Sequence, residues 1–418
     1  LADTAIAGHL LGDDALAQIG ATAALYSLIT SFCIGLTNGL SLPVSRCFGS
    51  GKMDEMRTSA CWMIILSFAV AVIMTAGFLI FRYPLLRVLQ TPEDTFAGAM
   101  SYITVILAGI PLTMIYNTES GLLRAIGNSI TPLIFLIVSS VINVILDVLF
   151  MGPLHFGVQG AATATILAQA ISVILCFFYI LKNYPQLHMK REDLHVSSGF
   201  VMEMFVTGMS MALMNAVFSI GSVILQSSIN ALGNVYIAAQ VGGRRLAELF
   251  MMPGTALSTS TATFSSQNYG AGKPDRVKKS YFISLGYSFG VGLALGSALF
   301  FFGRTFLALF TTESAVIDAG MKRVAVMAFA YCISAFMDCT IAASRGLGKT
   351  VVPTIIVVMG SCVFRVIWVY TIFAHFHTIP ALYLLYPCSW TLTAFAEILY
   401  FVHCYKQSMA LFKEPQAA

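Results

Sequence analysis

Charge is what this chain of 418 residues has least of: Asp, Glu, Lys and Arg make up 10% of it, where a soluble domain carries roughly a quarter. Hydrophobic residues make up 58%, and the mean hydropathy is +0.83. So few polar groups cannot cover a globular surface, so lipid must be the main solvent. Metal and thiol patterns are missing too. The nine cysteines are scattered through apolar stretches with no CxxC pair and no Cys/His ligand spacing, so they read as buried free thiols. No His-Glu-x-x-His motif occurs, and His9, close to Asp3 in the chain, reads as a hydrogen-bonded helix residue. An intramembrane enzyme would need a nucleophile–base set or a metal motif, so the chain is read as no enzyme and as needing no cofactor. The net charge of +4 sits in short loops and speaks to topology, not nucleic-acid binding. Lys273, Arg276, Lys278 and Lys279 suggest a lipid-headgroup site but read better as a cytoplasmic loop.

What is abundant is long apolar sequence. Met63–Phe81, Leu133–Met151, Ala162–Leu181 and Val351–Phe373 are each long enough to span, since a spanning helix needs about 20 apolar residues. Glycine and serine inside these runs point to close helix packing. The pattern predicts a partial helix 1 over 1–11, then helices near 15–47, 55–82, 95–125, 129–152 and 158–183. A second set follows near 201–231, 235–268, 276–303, 315–345, 350–375 and 380–405.

These two sets are copies of one unit. Gly12 and Gly233 lie 221 residues apart (233 − 12 = 221). The same offset carries Gly49-Ser-Gly51-Lys52 onto Gly270-Ala-Gly272-Lys273, Asp54 onto Asp275, and Arg124, Gly127 and Pro132 onto Arg345, Gly348 and Pro353. One constant offset over such a length is the signature of an internal repeat. The expected fold is an all-α polytopic membrane protein of twelve transmembrane helices in two parallel-repeat six-helix bundles. The first lobe covers 1–183, a polar cytoplasmic linker 184–199, the second lobe 200–406 and a cytoplasmic tail 407–418. Residue 1 maps onto Ser222 inside helix 7, so the first helix is expected to be truncated by about 15–20 residues.

Positive residues choose the side. Loops after even-numbered helices hold Lys52, Arg57, Arg124, Lys182, Lys190, Arg191, Arg345 and Lys349, whereas Asp13, Asp14, Glu93, Asp94 and Glu313 follow odd-numbered ones. By the positive-inside bias, the even loops and both termini are cytoplasmic. Six helices per copy then give both copies one orientation, a parallel repeat of a kind that several transporters use.

Charge inside a membrane is costly and marks function by default. Asp147 lies one turn beyond Asn143 on helix 5, on one face. At 1.5 Å per residue, Asp3, Tyr102, Asn143, Asp147 and Thr165 lie at about 8–14 Å from the outer helix ends, so one polar cluster is expected from helices 1, 4, 5 and 6. Asn117 lies deeper on helix 4. Desolvation and a second carboxylate both favour the protonated form of a carboxyl group, which suits proton uptake. Two carboxylates with amide and hydroxyl oxygens equally suit a small cation such as Na⁺. The competing reading of Asp147 is interhelical glue, and Tyr102 and Thr165 are also ordinary packing residues. The second copy differs: Asn143, Asp147 and Asp3 correspond to Phe364, Trp368 and Ile224. Its polar centres are Asp338, equivalent to Asn117, and Arg365, which are placed to pair. Met202, Met204, Met209, Met211, Met214, Met251 and Met252 fit core filling better than a promiscuous apolar surface.

The stretches Asp3-Thr-Ala-Ile-Ala-Gly8-His9, Leu123-Arg124-Ala-Ile-Gly127-Asn-Ser-Ile-Thr-Pro132, Asn143-Val-Ile-Leu-Asp147, Gly160-Ala-Ala-Thr-Ala-Thr165, Gln267-Asn268-Tyr-Gly270-Ala-Gly272 and Arg345-Gly346-Leu-Gly348, in this order, resemble the MATE family (multidrug and toxic compound extrusion transporters) of the DinF-like and NorM-like bacterial type. The resemblance covers essentially the whole chain. It implies two six-helix lobes around a central cleft and export of organic cations in exchange for H⁺ or Na⁺. It implies a cation site at Asp3, Asn143, Asp147 and Thr165, with Tyr102 and Asn117 nearby; Asp338, from the second copy's own polar residues, is a further candidate for the cleft. The helix 7 carboxylate of NorM-like members falls at Val217 or Phe218 here, a departure from that pattern. The proline around which family members bend helix 1 maps before residue 1.

The resulting expectation is a monomeric cation-coupled antiporter of the cytoplasmic membrane, surrounded by lipid and working by alternating access. Ion or proton binding at Asp147 and Asp3 repacks helix 1 and releases an organic cation outward. The alternative is a flippase for a lipid-linked precursor, which needs a cation-lined cleft; the acidic, amide-rich first-lobe cluster disfavours it.

Overall fold

The structure, a computed structural model, describes residues 2–230, 234–308, 313–376 and 378–413. Every regular element among these is helical. The first copy gives α1 (Ala2–Leu11), α2 (Asp13–Ser50), α3 (Met53–Val88), α4 (Glu93–Ala108), α5 (Ile110–Ala125), α6 (Ile130–Met151) and α7 (Val158–Asn183). The second gives α8 (Ser198–Asn230), α9 (Asn234–Gly270), α10 (Pro274–Ala308), α11 (Ser314–Met327) and α12 (Ala330–Gly346). Then come α13 (Val351–Val357), α14 (Phe364–Trp368) and α15 (Ala374–Phe376), joined by π turns, and α16 (Ile379–Tyr383) and α17 (Leu385–Lys413).

Eight helical stretches are long and apolar enough to cross a membrane, and two bent pairs are so when taken together. Short α1 and polar α9, which carries Arg244, Glu248 and the hydroxyl-rich run Thr255–Thr263, complete the twelve. Helix 4 and helix 10 of the expected set are each two helices. α4 and α5 meet at 43°, and α11 and α12 at 49°. Pro111 explains the first bend, because it enters α5 in its first turn, where the missing N–H costs nothing. The second bend falls at the equivalent place without a proline. There α10 packs so tightly that a Cβ on Gly296 would lie 2.0 Å from the Ala328 carbonyl oxygen.

The repeat is visible in backbone geometry. Gly51 and Gly272 have φ of 73° and 65°, and Gly127 and Gly348 have 91° and 81°. Each is a left-handed residue just past a helix end, the conformation glycine adopts without cost.

The chain packs as two compact units: Leu1–Phe48 with Lys52–Ala216, and Gly49–Gly51 with Val217–Ala418. The packing division therefore falls inside α8, later in the chain than the polar linker. The reason is a small-residue contact within the first unit. A Cβ on Gly35 would come within 2.8 Å of the Ala212 Cα, and one on Gly39 within 2.7 Å of the Gly208 Cα. Gly35 and Gly39 on α2 thus meet Gly208 and Ala212 on α8 backbone to backbone, both pairs spaced by four. Met204, Met211 and Met214 are buried, as core filling requires. The linker is short 3₁₀ turns, and α17 runs on through most of the expected tail; 414–418 lie outside the described residues, as does the side chain of Ile224.

Candidate functional site

The site in the first unit forms where α1 packs against α6 and α7. The outward surface of α6 is an apolar stripe including Ile134, Ile137, Val141, Ile145 and Val148, all well exposed to the lipid side. The opposite face presents Ser139, Asn143 and Asp147 inward, and α7 aligns on it through the hydrogen bond from the Ser139 hydroxyl to the Ala168 carbonyl, 2.8 Å.

Above that anchor, Asn143 Nδ2 reaches Thr165 Oγ1 at 3.5 Å. Thr165 Oγ1 lies 2.9 Å from Asp3 Oδ2 and 3.0 Å from the Ala161 carbonyl oxygen. A hydroxyl has one proton to give. It donates to Asp3 when that carboxylate is charged, or turns to Ala161 when Asp3 is itself protonated and donates. Asp147 is wholly buried, and its carboxyl group lies against that of Asp3 with no other hydrogen-bond partner among the described residues. Two carboxyl groups so placed need a proton or a cation between them.

Tyr102 on α4 is buried and interacts with both carboxyl groups and with Tyr26 of α2. Tyr26, which bonds Thr30 one turn on and interacts with Asp3, was absent from the expected set. Its only sequence signal is a tyrosine amid the apolar residues of α2. Asn117 stands apart: its Nδ2 donates to its own helix at Thr113 O, 2.8 Å, and Thr113 donates to Gln169 Oε1 on α7, 2.6 Å. Gln169 is one turn of α7 from Thr165.

In the second unit Asp338 lines a recess with Phe250, Met251, Ser288, Tyr331 and Ser334. The expected pairing of Asp338 with Arg365 is not found. Asp338 faces α9, where the Ser258 hydroxyl donates to its carbonyl oxygen, and its charged neighbour is Arg345. Arg365 turns toward α17, where its Nε donates to Ser389 Oγ, 3.2 Å. Ser288 sits in a Gly286-Tyr-Ser288-Phe-Gly290 pattern, but this lies inside α10, not on the strand-to-helix turn a serine nucleophile needs.

Two buried carboxyl groups lie outside the expected set. Glu119 on α5 faces Cys176 on α7, and Glu397 on α17 faces Arg345 on α12. The repeat relates them: Glu397 is equivalent to Cys176 (397 − 176 = 221) and Glu119 to Thr340 (340 − 119 = 221). The same helix pair carries its acid on opposite partners in the two copies. An acidic residue within an apolar run was the available signal for both.

Comparison with known proteins agrees with this architecture. The family model described as MatE matches residues 1–149 and 210–371. A probable multidrug resistance protein, YoeA of Bacillus subtilis, is 25% identical over 356 residues, covering 84% of this chain and 77% of the relative. A FAD transporter of Shewanella oneidensis is 27% identical over 322 residues, 76% of this chain and 71% of the relative. A crystal structure of MATE in the bent conformation superposes with a TM-score of 0.92 at 21% identity, over 98% of this chain and 92% of that one.

Proposed function

The chain belongs to the MatE family of multi-pass membrane transporters and is not an enzyme, and we propose that it exports organic cations and drugs across the cytoplasmic membrane in exchange for H⁺ or Na⁺. Asp3, Asn143, Asp147 and Thr165 take the coupling ion, Tyr102 completes the pocket around them, and Asn117 and Asp338 serve the substrate path. Both termini are cytoplasmic and the protein works as a monomer. The observation that carries this reading is Asp147, wholly buried with the carboxyl group of Asp3 as its one polar partner among the described residues. The set fits either ion: a proton bridges the two carboxyl groups, and the carboxylate, hydroxyl and amide oxygens make a hard-ligand shell for Na⁺. Binding there shifts the transporter between access states only by its differential affinity for them.

The test is transport into proteoliposomes of a fluorescent organic cation under an imposed pH or Na⁺ gradient, wild type beside Asp147→Asn. Gradient-driven movement lost in the variant supports the assignment and identifies the ion. Normal movement in Asp147→Asn overturns it. FAD belongs among the substrates assayed, because a relative carries it. Silence with every substrate and both ions shifts the reading to a flippase for a lipid-linked precursor, to be followed by a lipid-scrambling assay.

A further inference from the structure

At the turn where the first unit carries Asn143 and Asp147, the second carries a cation. Residues 143–147 correspond to 364–368 (364 − 143 = 221), and Arg365 is among them. Met359, Val363 and Ile367 are 55%, 38% and 55% exposed and mark the lipid-facing side of this helix. Arg365 lies two positions from Val363 and Ile367, on the opposite side, toward the interior of the unit. Its guanidinium carbon stands 4.6 Å from the ring centroid of Tyr386 and 6.0 Å from that of Trp390. Of its five N–H groups, Nε–H is used, on Ser389 Oγ. No carboxylate lies within ion-pair distance of it among the described residues.

The surroundings extend this pattern. Tyr386 continues into a ring stack with Tyr383, interplanar angle 17°, and packs on Trp390, which meets Tyr331. Arg323, buried, caps Tyr383 at 5.3 Å and holds Gln240 Oε1 at 3.0 Å. Two guanidinium groups on one aromatic cluster, neither with a carboxylate partner among the described residues, leave positive charge uncompensated at membrane depth. The backbone is also exceptional here. α14 lies between two π turns, Val358–Val363 and Val369–Phe373, whereas α6 is regular throughout; π turns occur frequently at functional sites.

We propose that Arg365 and Tyr386, held in place by buried Ser389 and Trp390, form a binding site for a flat aromatic anion, one whose ring bears a carboxylate or phosphate. Stacked guanidinium leaves its in-plane N–H edge for bidentate contact with an oxyanion. Tyr386, partly exposed and already met by Arg365, Tyr383 and Trp390, leaves a ring edge for an edge-to-face contact with the ligand ring. This site goes beyond the cation-export reading and is independent of the carboxyl groups of the first unit.

The test is fluorescence titration of the purified protein with 4-methylumbelliferyl phosphate, its neutral glucoside and inorganic phosphate. The expected result is that wild type binds the aromatic phosphate at least tenfold more tightly than either control, and that Arg365→Gln loses this preference. Equal binding of phosphate and glucoside, or preference retained in Arg365→Gln, overturns the proposal. Inorganic phosphate binding as tightly as the aromatic one overturns the aromatic part. A further readout needs no variant. Phenylglyoxal labelling of Arg365, followed by peptide mass analysis, is expected to fall at least fivefold in the presence of the aromatic phosphate, and unchanged labelling at saturating ligand counts against the site.

Discussion

Asp193, in the linker between the copies, holds Arg57 of α3, whose single Nε–H donates to both carboxylate oxygens at 2.8 and 3.0 Å. The same carboxylate accepts from Thr58 Oγ1 and from the Lys190 backbone N–H, and its carbonyl accepts from the Trp62 indole. A segment that reads as a loose polar connector is stapled to the bundle at one residue.

That staple makes a pH prediction. Burial pushes the Asp193 carboxyl up, but the bonds from Arg57, Lys190 and Thr58 outweigh it and hold the group below the usual carboxylate range. A depressed carboxyl adds stability that is present above its unfolded value and is lost as pH falls through the folded one. The linker should therefore stay docked at neutral pH and release only below about pH 4, the ordinary carboxylate value. Trp62 emission during acid titration reports it. At pH 8, Asp193→Asn should be cut by trypsin at Lys190 and Arg191 roughly tenfold faster, as loss of charged hydrogen bonds implies.

Thr165→Val removes the hydroxyl that serves Asp3 while keeping the side-chain volume. Loss of a hydrogen bond to a charged group should weaken coupling-ion affinity roughly tenfold, read as the half-saturating ion concentration in the transport assay. Thr165→Ser, which keeps the hydroxyl, should stay close to wild type. Equal behaviour of the two variants would sink the role given to this hydroxyl.

Gly39→Val should strike stability and not ion dependence. Its Cβ would lie 2.7 Å from the Gly208 Cα, and backbone cannot swing aside as a flexible side chain can. Overpacking of this kind costs about 1–3 kcal/mol. The expected outcome is a lower thermal midpoint in detergent, with the ion-affinity profile of the surviving protein unaltered.

Glu397→Ala and Glu397→Gln should differ in degree. Glu397 is wholly buried with Arg345 as an electrostatic neighbour, and emptying a buried site of this size costs about 2–5 kcal/mol. The alanine variant should accumulate poorly. The glutamine variant, which keeps volume and an acceptor oxygen, should fold better; thermal unfolding of the two in parallel decides it.

The repeat, the helices and most of the first-unit cluster were legible in the sequence because each leaves a one-dimensional trace. Offset glycines mark helix ends, apolar length marks spans, and equal depth brought Asp3, Asn143, Asp147 and Thr165 into one layer. What failed to show depends on direction around a helix. Asn117, expected near the cluster, bonds its own helix backbone, and Asp338 and Arg365 lie on faces that point to different helices. The second-copy bend lacks the proline that would have announced it. Asp193 looked like linker charge because the chain alone does not say that Arg57, 136 residues earlier, stands opposite.

The constant offset between the copies has a consequence for how such a molecule can arise. A protein assembled from two identical chains must present the same chemistry twice, because any substitution appears in both halves. Joining the halves into one polypeptide lifts that restriction. Residues 143–147 hold an acid and an amide, while 364–368 hold an arginine and two large aromatic rings. The two equivalent helix turns thereby present opposite charge, each free to change without altering the other.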